Sequence, residues 1–465
     1  MSETNLLIAA VLLLMAGLLL YARRRSKSLS GFLVSERSLG GVVSAFTYST
    51  AAVSAGLFIG GAGFAYTYGW AGATYQLGAL SGIFLTWLLI APRVRKMASA
   101  VGALSTPNFL AERFECPSFR TVTSALTIVF VLPMIVVQFR GAGLLFENYL
   151  GLDYERSVIV FGLLVGLFTA LGGNFAVSYL STILGTLMVI GSVACIGSGL
   201  SQVGGLQNMN AQLAARDANF VRFVGRVPWP VWWDLLVIFG LAQFSNPHLI
   251  PRFFSLRDSQ AVRLALPLSM FINCLWVCAA VLIGLVARVQ YPGLSSGDQA
   301  MPVFMRSLSP AVSSLILIAL VSAIFTTIGT LLLAVGSNIS HDLIKGLFWS
   351  GLSERGELWL TRLAIVVVGA IGFSFSLLDL PLITLINSFA IGAFILILGL
   401  PLIMGIFFRR ATKEAALTSA IGGSVLYLVW KYFLVSRTGI GEMIASLVII
   451  IPTSMIVSWL TRQAK

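Results

Sequence analysis

The chain has 465 residues, of which 58% are hydrophobic and only 10% are charged. An ordinary soluble domain carries about 25% charged residues, so a soluble globular enzyme, a disordered chain and a collagen-like fibre are excluded. The net charge of +13 comes from 30 Lys and Arg against 17 Asp and Glu. Because these cations stand in short loops between apolar runs, they are typical of a polytopic membrane protein rather than of a nucleic-acid-binding protein.

Thirteen apolar runs are long enough to cross a bilayer, whose hydrocarbon core takes about 20 residues of helix. They predict membrane helices at residues 4–22, 43–66, 70–91, 121–146, 156–172, 175–200, 229–250, 264–288, 311–339, 361–378, 381–408, 414–435 and 441–461. Cations from Arg23 to Lys27 follow the first run, so we expect a retained helix there rather than a cleaved signal peptide.

The distribution of Lys and Arg predicts the orientation of the chain in the membrane. One alternate set of loops, together with the C-terminal tail, holds 21 of the 30 Lys and Arg, whereas the opposite set holds eight. Since positively charged loops remain in the cytoplasm, we expect the N-terminus outside and the C-terminus in the cytoplasm. An odd number of helices agrees with this orientation.

Two of the apolar runs contain residues that interrupt a helix. The second run holds several glycines between Gly56 and Gly63, and the seventh holds Pro247 and Pro251. Glycine lowers helix propensity, proline removes a backbone donor, and freed backbone groups are tolerated in lipid only beside a protein-lined or wet cavity. We therefore expect broken helices beside a binding site, although the glycines alone are also compatible with close helix packing.

The two interrupted runs are the second and the seventh in the series, so they are five runs apart. Because five is an odd number, the two five-helix units that begin with them have opposite topology in the membrane. Interrupted helices at matching places of inverted repeats indicate the midplane site of a transporter. The chain is therefore predicted to form a single transmembrane transporter domain. Its first repeat is expected at residues 43–200 and its second at 229–408, with peripheral helices at 4–22 and 414–461.

Motifs along nearly the whole chain resemble the sodium/solute symporter family, with the pantothenate permeases as the most similar branch. They read FLVSERSLG at 32–40, VSAGLFIG at 53–60, YTYG at 66–69, VQFRGAG at 137–143, TALGGNFAVS at 169–178 and FTTIGT at 325–330. The resemblance implies an all-α, LeuT-like fold with a five-plus-five inverted repeat in the bacterial inner (plasma) membrane. It also implies sodium-coupled uptake of a small organic solute.

By motif, the resemblance carries the family's sodium site to five residues of this chain. The carbonyl oxygens of Thr50, Val53 and Ala323 and the hydroxyls of Thr326 and Thr327 are expected to hold the ion. A hard cation takes several oxygen ligands, and a broken helix exposes carbonyls at mid-membrane. The alternative is that both threonines only bond back to carbonyls one turn earlier.

Ser181 departs from the family pattern, because many members carry an aspartate at this place. Ala52 likewise stands where several relatives have an acidic or amide side chain. Without these groups a second sodium would lack charge compensation, so we expect one coupled sodium ion.

Arg140 is a cation inside an apolar run, which marks it as a candidate for function. Its planar donor fork suits a solute carboxylate, so we expect it to bind the solute. The alternative is a structural arginine that reaches toward the outer face or pairs with Glu147 or Asp234.

Further solute-binding candidates are polar residues placed at the two interruptions or on neighbouring runs. They are Ser54, Gln76, Gln243, Asn246 and Asn387. For each of them the alternative is a hydrogen bond between helices with no role in solute binding.

These features together predict a secondary active transporter that works by alternating access and is not an enzyme. The solute is expected to carry a carboxylate, as a pantothenate-like vitamin or a short organic acid does, and sodium is the expected coupling ion. The expected partners are the solute and the lipid bilayer, with neither nucleic acid nor an obligate protein partner. The alternatives are a proton-coupled carrier on the same fold, for which only His248 offers a titrating group, and a transporter-like ligand sensor.

Overall fold

The computed structural model describes residues 13–23, 26–53, 55–150, 153–378 and 382–463, and within these ranges the chain is almost entirely helical. In chain order the α-helices are α1 (Leu13–Arg23), α2 (Leu29–Val34), α3 (Gly41–Ala52), α4 (Ala55–Tyr68), α5 (Ala71–Thr74), α6 (Gln76–Leu85), α7 (Ala91–Val101), α8 (Thr106–Phe114), α9 (Pro117–Leu150), α10 (Tyr154–Gln202), α11 (Gly205–Arg216), α12 (Trp229–Ala242), α13 (Ile250–Phe254), α14 (Ser259–Gln290), α15 (Ala300–Arg306), α16 (Pro310–Ser337), α17 (Glu354–Ser376), α18 (Ile383–Phe394), α19 (Leu400–Phe407), α20 (Lys413–Leu417), α21 (Ser424–Val429), α22 (Val435–Thr438) and α23 (Glu442–Gln463). Several helices continue into π-helical turns, at Thr86–Ile90, Asn338–Phe348, Ile395–Gly399, Thr418–Gly423 and Trp430–Leu434. Single 3-10 turns lie at Ser35–Arg37, Ala218–Val221 and Gly297–Gln299.

Within the described residues, nine helices are long and apolar enough to cross a membrane, and the bent pair α3–α4 raises the number to as many as ten. The chain is therefore an integral, multi-pass membrane protein. The first predicted span begins at residue 4 and lies partly outside the described residues. The count of thirteen spans, the orientation of both termini and the boundaries of the two repeats stay predictions.

Helix α10 combines two of the predicted spans, because its 49 residues are interrupted at Gly173. At 1.5 Å per residue a straight helix of this length would measure about 74 Å, more than twice the hydrocarbon thickness of about 30 Å. Gly173 has φ 60° and ψ −157°, a conformation that favours glycine. A Cβ added there would also lie 2.6 Å from the ring of Phe32. This position therefore fixes both the break and the close approach of α2.

The first predicted interruption is present, but it lies just before the glycines rather than among them. Helix α3 ends at Ala52, Val53 adopts an extended conformation, and the axes of the two helix pieces differ by 46°. The glycines themselves stay helical in α4 and permit close packing. A Cβ on Gly60 would lie 2.8 Å from the Thr384 hydroxyl of α18, and one on Gly63 would lie 2.8 Å from the backbone of Gly297.

The second predicted interruption is present where the prolines indicate it. Helix α12 ends at Ala242 and α13 begins at Ile250, with hydrogen-bonded turns between them. Pro247 supplies no N–H in this segment, and the carbonyl of Gln243 accepts a hydrogen bond of 3.0 Å from the hydroxyl of Tyr48 in α3. The two broken helices therefore meet at their breaks.

The loops that carry most of the cations lie together on one side of the molecule, which we call the basic side. A bridge joins Leu39 to the segment after α13, through a bond of 2.9 Å from its N–H to the carbonyl of Ser255. Arg37 donates a hydrogen bond of 2.7 Å to the carbonyl of Ala103. Three loops that the charge distribution assigns to the cytoplasm are thus in direct contact.

Burial separates a core from a lipid-facing rim. In the span Pro310–Phe348, which begins with α16, 89% of the most apolar stretch is buried inside the protein. The corresponding share is 28% for Lys413–Thr438 and for Glu442–Arg462, the last two spans. The side chains of α16 are therefore surrounded by protein, and polar groups on them must be satisfied there.

Candidate functional site

Thr327 links α16 to the broken end of α3. Its hydroxyl donates a hydrogen bond of 3.0 Å to the carbonyl oxygen of Thr50 and also lies 2.9 Å from the carbonyl oxygen of Ala323, one turn earlier. The hydroxyl of Thr326 lies 3.2 Å from the same Ala323 oxygen. None of these four side chains is more than 1% exposed. The structure therefore brings four of the five predicted ion ligands into one buried cluster.

The carbonyl of Thr50 is available because α3 ends within a turn of it. Carbonyls in the last turn of a helix lack a helical N–H partner. The N–H of Val53 still donates a hydrogen bond of 2.8 Å to Ser49, after which the backbone becomes extended, with φ −104° and ψ 91°. Val53 itself lies at the break and lines the central cavity described below.

The donor set of this cluster fits a hard monovalent cation. Two carbonyl oxygens and two hydroxyl oxygens lie within hydrogen-bond distance of their neighbours, and such oxygens are the ligands that hard cations take. Back-bonding of both threonines to Ala323, the alternative considered from the sequence, is also observed. The contact from Thr327 to Thr50 goes beyond it, because it crosses between two helices that are far apart in the chain.

A central cavity lies beside the two breaks and collects most of the predicted solute ligands. It is bounded by α3, α4, α6, α9, α12, α14 and α18. Its lining includes all four side-chain amides that the sequence singled out, which are Gln76, Gln243, Asn246 and Asn387. Ser54, the fifth neutral candidate, lies outside the described residues.

Several polar atoms of this cavity are buried without a hydrogen-bond partner among the described residues. They are Oε1 of Gln76 and Oδ1 of Asn246, Asn273 and Asn387. Buried polar atoms are normally paired, so unpaired ones on residues that line a cavity indicate a polar ligand. The cavity therefore offers several neutral hydrogen-bonding groups to a small solute.

Asn273 is a lining residue that sequence reasoning missed. Its amide nitrogen donates to the Ser49 hydroxyl at 2.8 Å and to the carbonyl of Ser269 at 2.7 Å, while its oxygen has no partner among the described residues. The signal was present, because Asn273 is an amide within the apolar run at 264–288. A polar residue in such a run is a functional candidate by default.

Arg140 pairs with Asp298, a residue that the sequence did not suggest. Its Nη2 lies 3.7 Å from Oδ2 of Asp298, and Asp298 is only 1% exposed. Among the described residues, the lining of the central cavity does not include Arg140. Asp234, one of the carboxylates considered as its structural partner, instead accepts bonds of 2.9 and 3.1 Å from the N–H groups of Met443 and Ile444.

Asp298 lies in the 3-10 turn before α15, where it contacts several helices. Its Oδ2 also accepts a hydrogen bond of 3.1 Å from the N–H of Ile383 at the start of α18, and Gly63 of α4 packs against it. Burial raises the pKa of this carboxyl to about 6, although the N–H of Ile383 and the charge of Arg140 both act to lower it. The carboxylate of Asp298 thus contacts α4, α9 and α18, and its negative charge is partly compensated by Arg140.

Two further positions bear on the coupling ion. Ser181 is fully buried, and its hydroxyl donates a hydrogen bond of 2.7 Å to the carbonyl of Val177 one turn earlier, so this place offers a neutral group. His248 is 2% exposed, and its Nε2 lies 3.3 Å from the carbonyl oxygen of Ala51. Because a carbonyl can only accept, this nitrogen is the donor in the contact.

Comparisons with known proteins agree with this architecture. A model of the sodium:solute symporter family matches residues 32–423. The chain is 28% identical over 457 residues to the sodium/pantothenate symporter of Escherichia coli K12. This match covers 96% of this chain and 94% of the relative. It is 27% identical to the high-affinity proline transporter PutP of Bacillus subtilis 168, with 88% of each chain covered.

Two solved structures show the same fold at low identity. A Na+-coupled sialic acid symporter, in a substrate-bound outward-open state, superposes with a TM-score of 0.81 at 18% identity and covers 97% of both chains. A nucleobase-cation-symport-1 family transporter in a closed conformation gives a TM-score of 0.56 at 13% identity, with 92% of this chain and 95% of that chain covered.

The family match extends over most of the chain and includes both broken helices and the threonine pair of α16. Sodium is the coupling ion, a small molecule is the solute, and the predicted LeuT-like class of fold is confirmed. The proton-coupled alternative is not favoured. The chain belongs to the sodium:solute symporter family.

Proposed function

We propose that this symporter takes up a small carboxylate-bearing solute, a pantothenate-like vitamin or a short organic acid, together with sodium. The amide-lined cavity beside the buried oxygen cluster carries this proposal, because it puts a solute site next to an ion site. Relatives named for pantothenate and for proline support a carboxylate solute, since both compounds contain that group.

The sodium ion is held by the carbonyls of Thr50, Val53 and Ala323 and by the hydroxyls of Thr326 and Thr327. In this arrangement the ion lies between the Thr327 hydroxyl oxygen and the Thr50 carbonyl oxygen; it replaces the hydrogen bond that now joins them, and the hydroxyl keeps its proton. Its charge then fixes the loose end of α3 against α16. That ordering prepares the adjoining cavity, because Val53 belongs to both the break and the cavity wall.

The solute is held in the central cavity by Ser54, Gln76, Gln243, Asn246 and Asn387. Arg140, which lies outside the lining of that cavity, holds the solute carboxylate as the solute arrives or leaves. Asp298 lies 3.7 Å from Arg140, which is longer than a hydrogen bond, whereas a guanidinium can bind a carboxylate through two parallel hydrogen bonds. A solute carboxylate can therefore displace Asp298. Because Asp298 also holds α4 and α18, this exchange opens or closes the outer end as the solute arrives or leaves.

Alternating access follows if the two repeats, at residues 43–200 and 229–408, rock against each other about the sites. We place the N-terminus outside and the C-terminus in the cytoplasm, with thirteen membrane helices. A sodium ion that enters down a potential of 100 mV supplies about 2.3 kcal/mol per charge. One ion can thus drive the accumulation of a neutral solute, and less accumulation of a monoanion.

Uptake into proteoliposomes tests this function. Radiolabelled pantothenate, short organic acids and proline are offered with an inward sodium gradient, with a proton gradient alone, and with neither gradient. We expect accumulation of a carboxylate solute that requires sodium. Accumulation with a proton gradient in the absence of sodium would contradict sodium coupling, and preference for an uncharged solute would contradict the assigned class.

The same purified protein can be screened for thermal stabilisation by anionic and neutral metabolites, with and without sodium. A ligand that raises the melting temperature only in sodium identifies the solute and its coupling together. Stabilisation that is equal in sodium and in choline would contradict the proposed order of binding.

A further inference from the structure

A second cavity adjoins the central one on the basic side of the molecule. It is lined by the break between α12 and α13, by the start of α8, and by the end of α16. His248 lines both cavities, and Arg252 follows it by one helical turn. The second cavity therefore lies between the central cavity and the side that carries the cationic loops.

Arg252 is a buried cation whose observed partners are all neutral. It is 5% exposed, its Nε donates a hydrogen bond of 3.3 Å to the carbonyl of His248, and its Nη1 donates to Oδ1 of Asn174. Within the described ranges, no Asp or Glu lies within 4.0 Å of its guanidinium nitrogens. A buried charge without a counter-charge is costly, which points to an anion that binds there.

The position of the Arg252 side chain is fixed by its neutral neighbours. Asn174 follows the break at Gly173, and its amide nitrogen donates to the hydroxyls of Ser35 at 2.7 Å and Ser255 at 3.2 Å. This network orients the oxygen of Asn174 toward Arg252. The guanidinium is consequently held in place before any ligand arrives, which lowers the entropic cost of binding.

Two unpaired hydroxyls line the same cavity. The hydroxyl oxygens of Thr106 and Ser337 are buried and have no hydrogen-bond partner among the described residues. Both residues are at most 2% exposed. A hydroxyl can donate to an anion at no charge cost, so the cavity contains one fixed cation and two free donors.

A second cation adds to the positive potential here. Arg37 donates hydrogen bonds to the carbonyls of Phe254, at 3.2 Å, and Ala103, at 2.7 Å. Ala103 directly precedes Leu104, which lines the cavity, and Phe254 follows Arg252 by two residues. Asp342, which accepts a hydrogen bond from Ser105 of the cavity lining, is already compensated by Arg120 at 2.7 Å.

We propose that the Arg252 cavity binds a small monovalent anion, either a halide or a carboxylate group. The guanidinium provides the charge, and the hydroxyls of Thr106 and Ser337 complete the coordination. A carboxylate solute leaving the central cavity past His248 meets this site next, and a chloride ion from the cytoplasm can occupy it in the meantime. The proposal does not depend on the charge of the transported solute.

Thermal unfolding of the full-length protein in detergent tests the site without transport. Sodium and ionic strength are held constant while bulky methanesulfonate is replaced stepwise by bromide in one series and by formate in another. We expect a saturable rise of the melting temperature in at least one series. Saturation with bromide alone indicates a halide site, and saturation with formate indicates a carboxylate site.

Arg252→Gln should abolish the saturable response, while Arg226→Gln, which removes one exposed cation, should retain it. If Arg252→Gln does not fold, the double variant Thr106→Val with Ser337→Ala keeps the charge and should weaken the apparent affinity by about tenfold. Bromide can also be located by its anomalous scattering, and we expect a peak beside Arg252. A wild-type protein without saturation, or variants with unchanged affinity, would overturn the proposal.

Discussion

The hydroxyl of Thr327 lies 3.0 Å from the carbonyl oxygen of Thr50, although 277 positions separate the two residues in the chain. This contact joins an unbroken core helix to the end of a broken one. Because one partner is a backbone carbonyl, no substitution at position 50 removes it directly. The ion site is therefore tested by a substitution at Thr327 that removes the hydroxyl.

Thr327→Val should raise the sodium concentration needed for half-maximal uptake by tenfold or more. Valine keeps the shape of threonine but removes one ligand, and about 1.4 kcal/mol corresponds to a factor of ten in affinity. The measurement is initial uptake at varied sodium in proteoliposomes. Thr123→Val is the matched control, because Thr123 is also buried and back-bonded, to Phe119 at 2.7 Å, but lies in α9. An equal loss in both variants would assign Thr327 to packing.

Arg140→Gln should raise the apparent Michaelis constant for an anionic solute at least tenfold while protein abundance stays near normal. The neutral amide cannot replace the charged fork that binds a carboxylate. Asp298→Asn should act in the opposite direction, because it removes the group that competes for Arg140. Uptake kinetics unchanged in both variants would show that the pair is purely structural.

Closure of the outer end should become less favourable as the pH rises from about 4 to about 7. In the closed arrangement the pKa of Asp298 is raised from 3.8 to about 6 by burial. A solvated carboxyl in an open arrangement keeps an ordinary pKa, so the closed form binds the proton more tightly. The stabilisation of the closed form by this proton is lost as the pH rises through 6. The accessibility of a cysteine introduced beside α18 reports closure. Asp298→Asn should make it independent of pH over this range, and a persistent pH dependence would point to another group.

Gly60→Ala should destabilise the protein, because the added methyl would lie 2.8 Å from the Thr384 hydroxyl and 2.9 Å from Ile383. Overpacking of this kind costs about 1–3 kcal/mol. Gly197→Ala is the control, since nothing lies within 4 Å of a Cβ at that position in α10. The melting temperature should fall for the first variant and hold or rise for the second. Equal shifts would contradict the tight approach of α4 to α18.

The ratio of transported sodium to solute should be one. Ser181 supplies a neutral hydroxyl that is already bonded to Val177, so a second ion would find no negative charge there. Reversal-potential measurements in proteoliposomes determine this ratio directly, and a value of two would contradict the expectation.

Local sequence signals located the second helix break well and the first break only in part. Pro247 removes a backbone donor wherever it stands, so the second break follows from chemistry within a few residues. The first break could not be located from Gly60 or Gly63, because glycine both loosens helices and lets them approach closely. Which role applies depends on Thr384 and Gly297, which come from distant parts of the chain.

Pairings between distant residues were beyond the reach of the sequence. Arg140 was recognisable as a functional candidate, but its partner Asp298 lies in a turn 158 positions away and was not considered. The same holds for Arg252, because nothing in its local sequence distinguishes it from the exposed loop cations, and its burial follows only from the fold. Motif resemblance did better for Thr326 and Thr327, since a family pattern already contains the tertiary arrangement that brings Thr327 to Thr50.

The carboxylate of Asp234 caps the first turn of α23 from within α12. Any tilt of α12 is therefore passed on to the last helix, most of whose apolar stretch faces lipid. A transport cycle that tilts α12 would thus also move α23 within the bilayer. We expect turnover to depend, for this reason, on the thickness and stiffness of the host membrane.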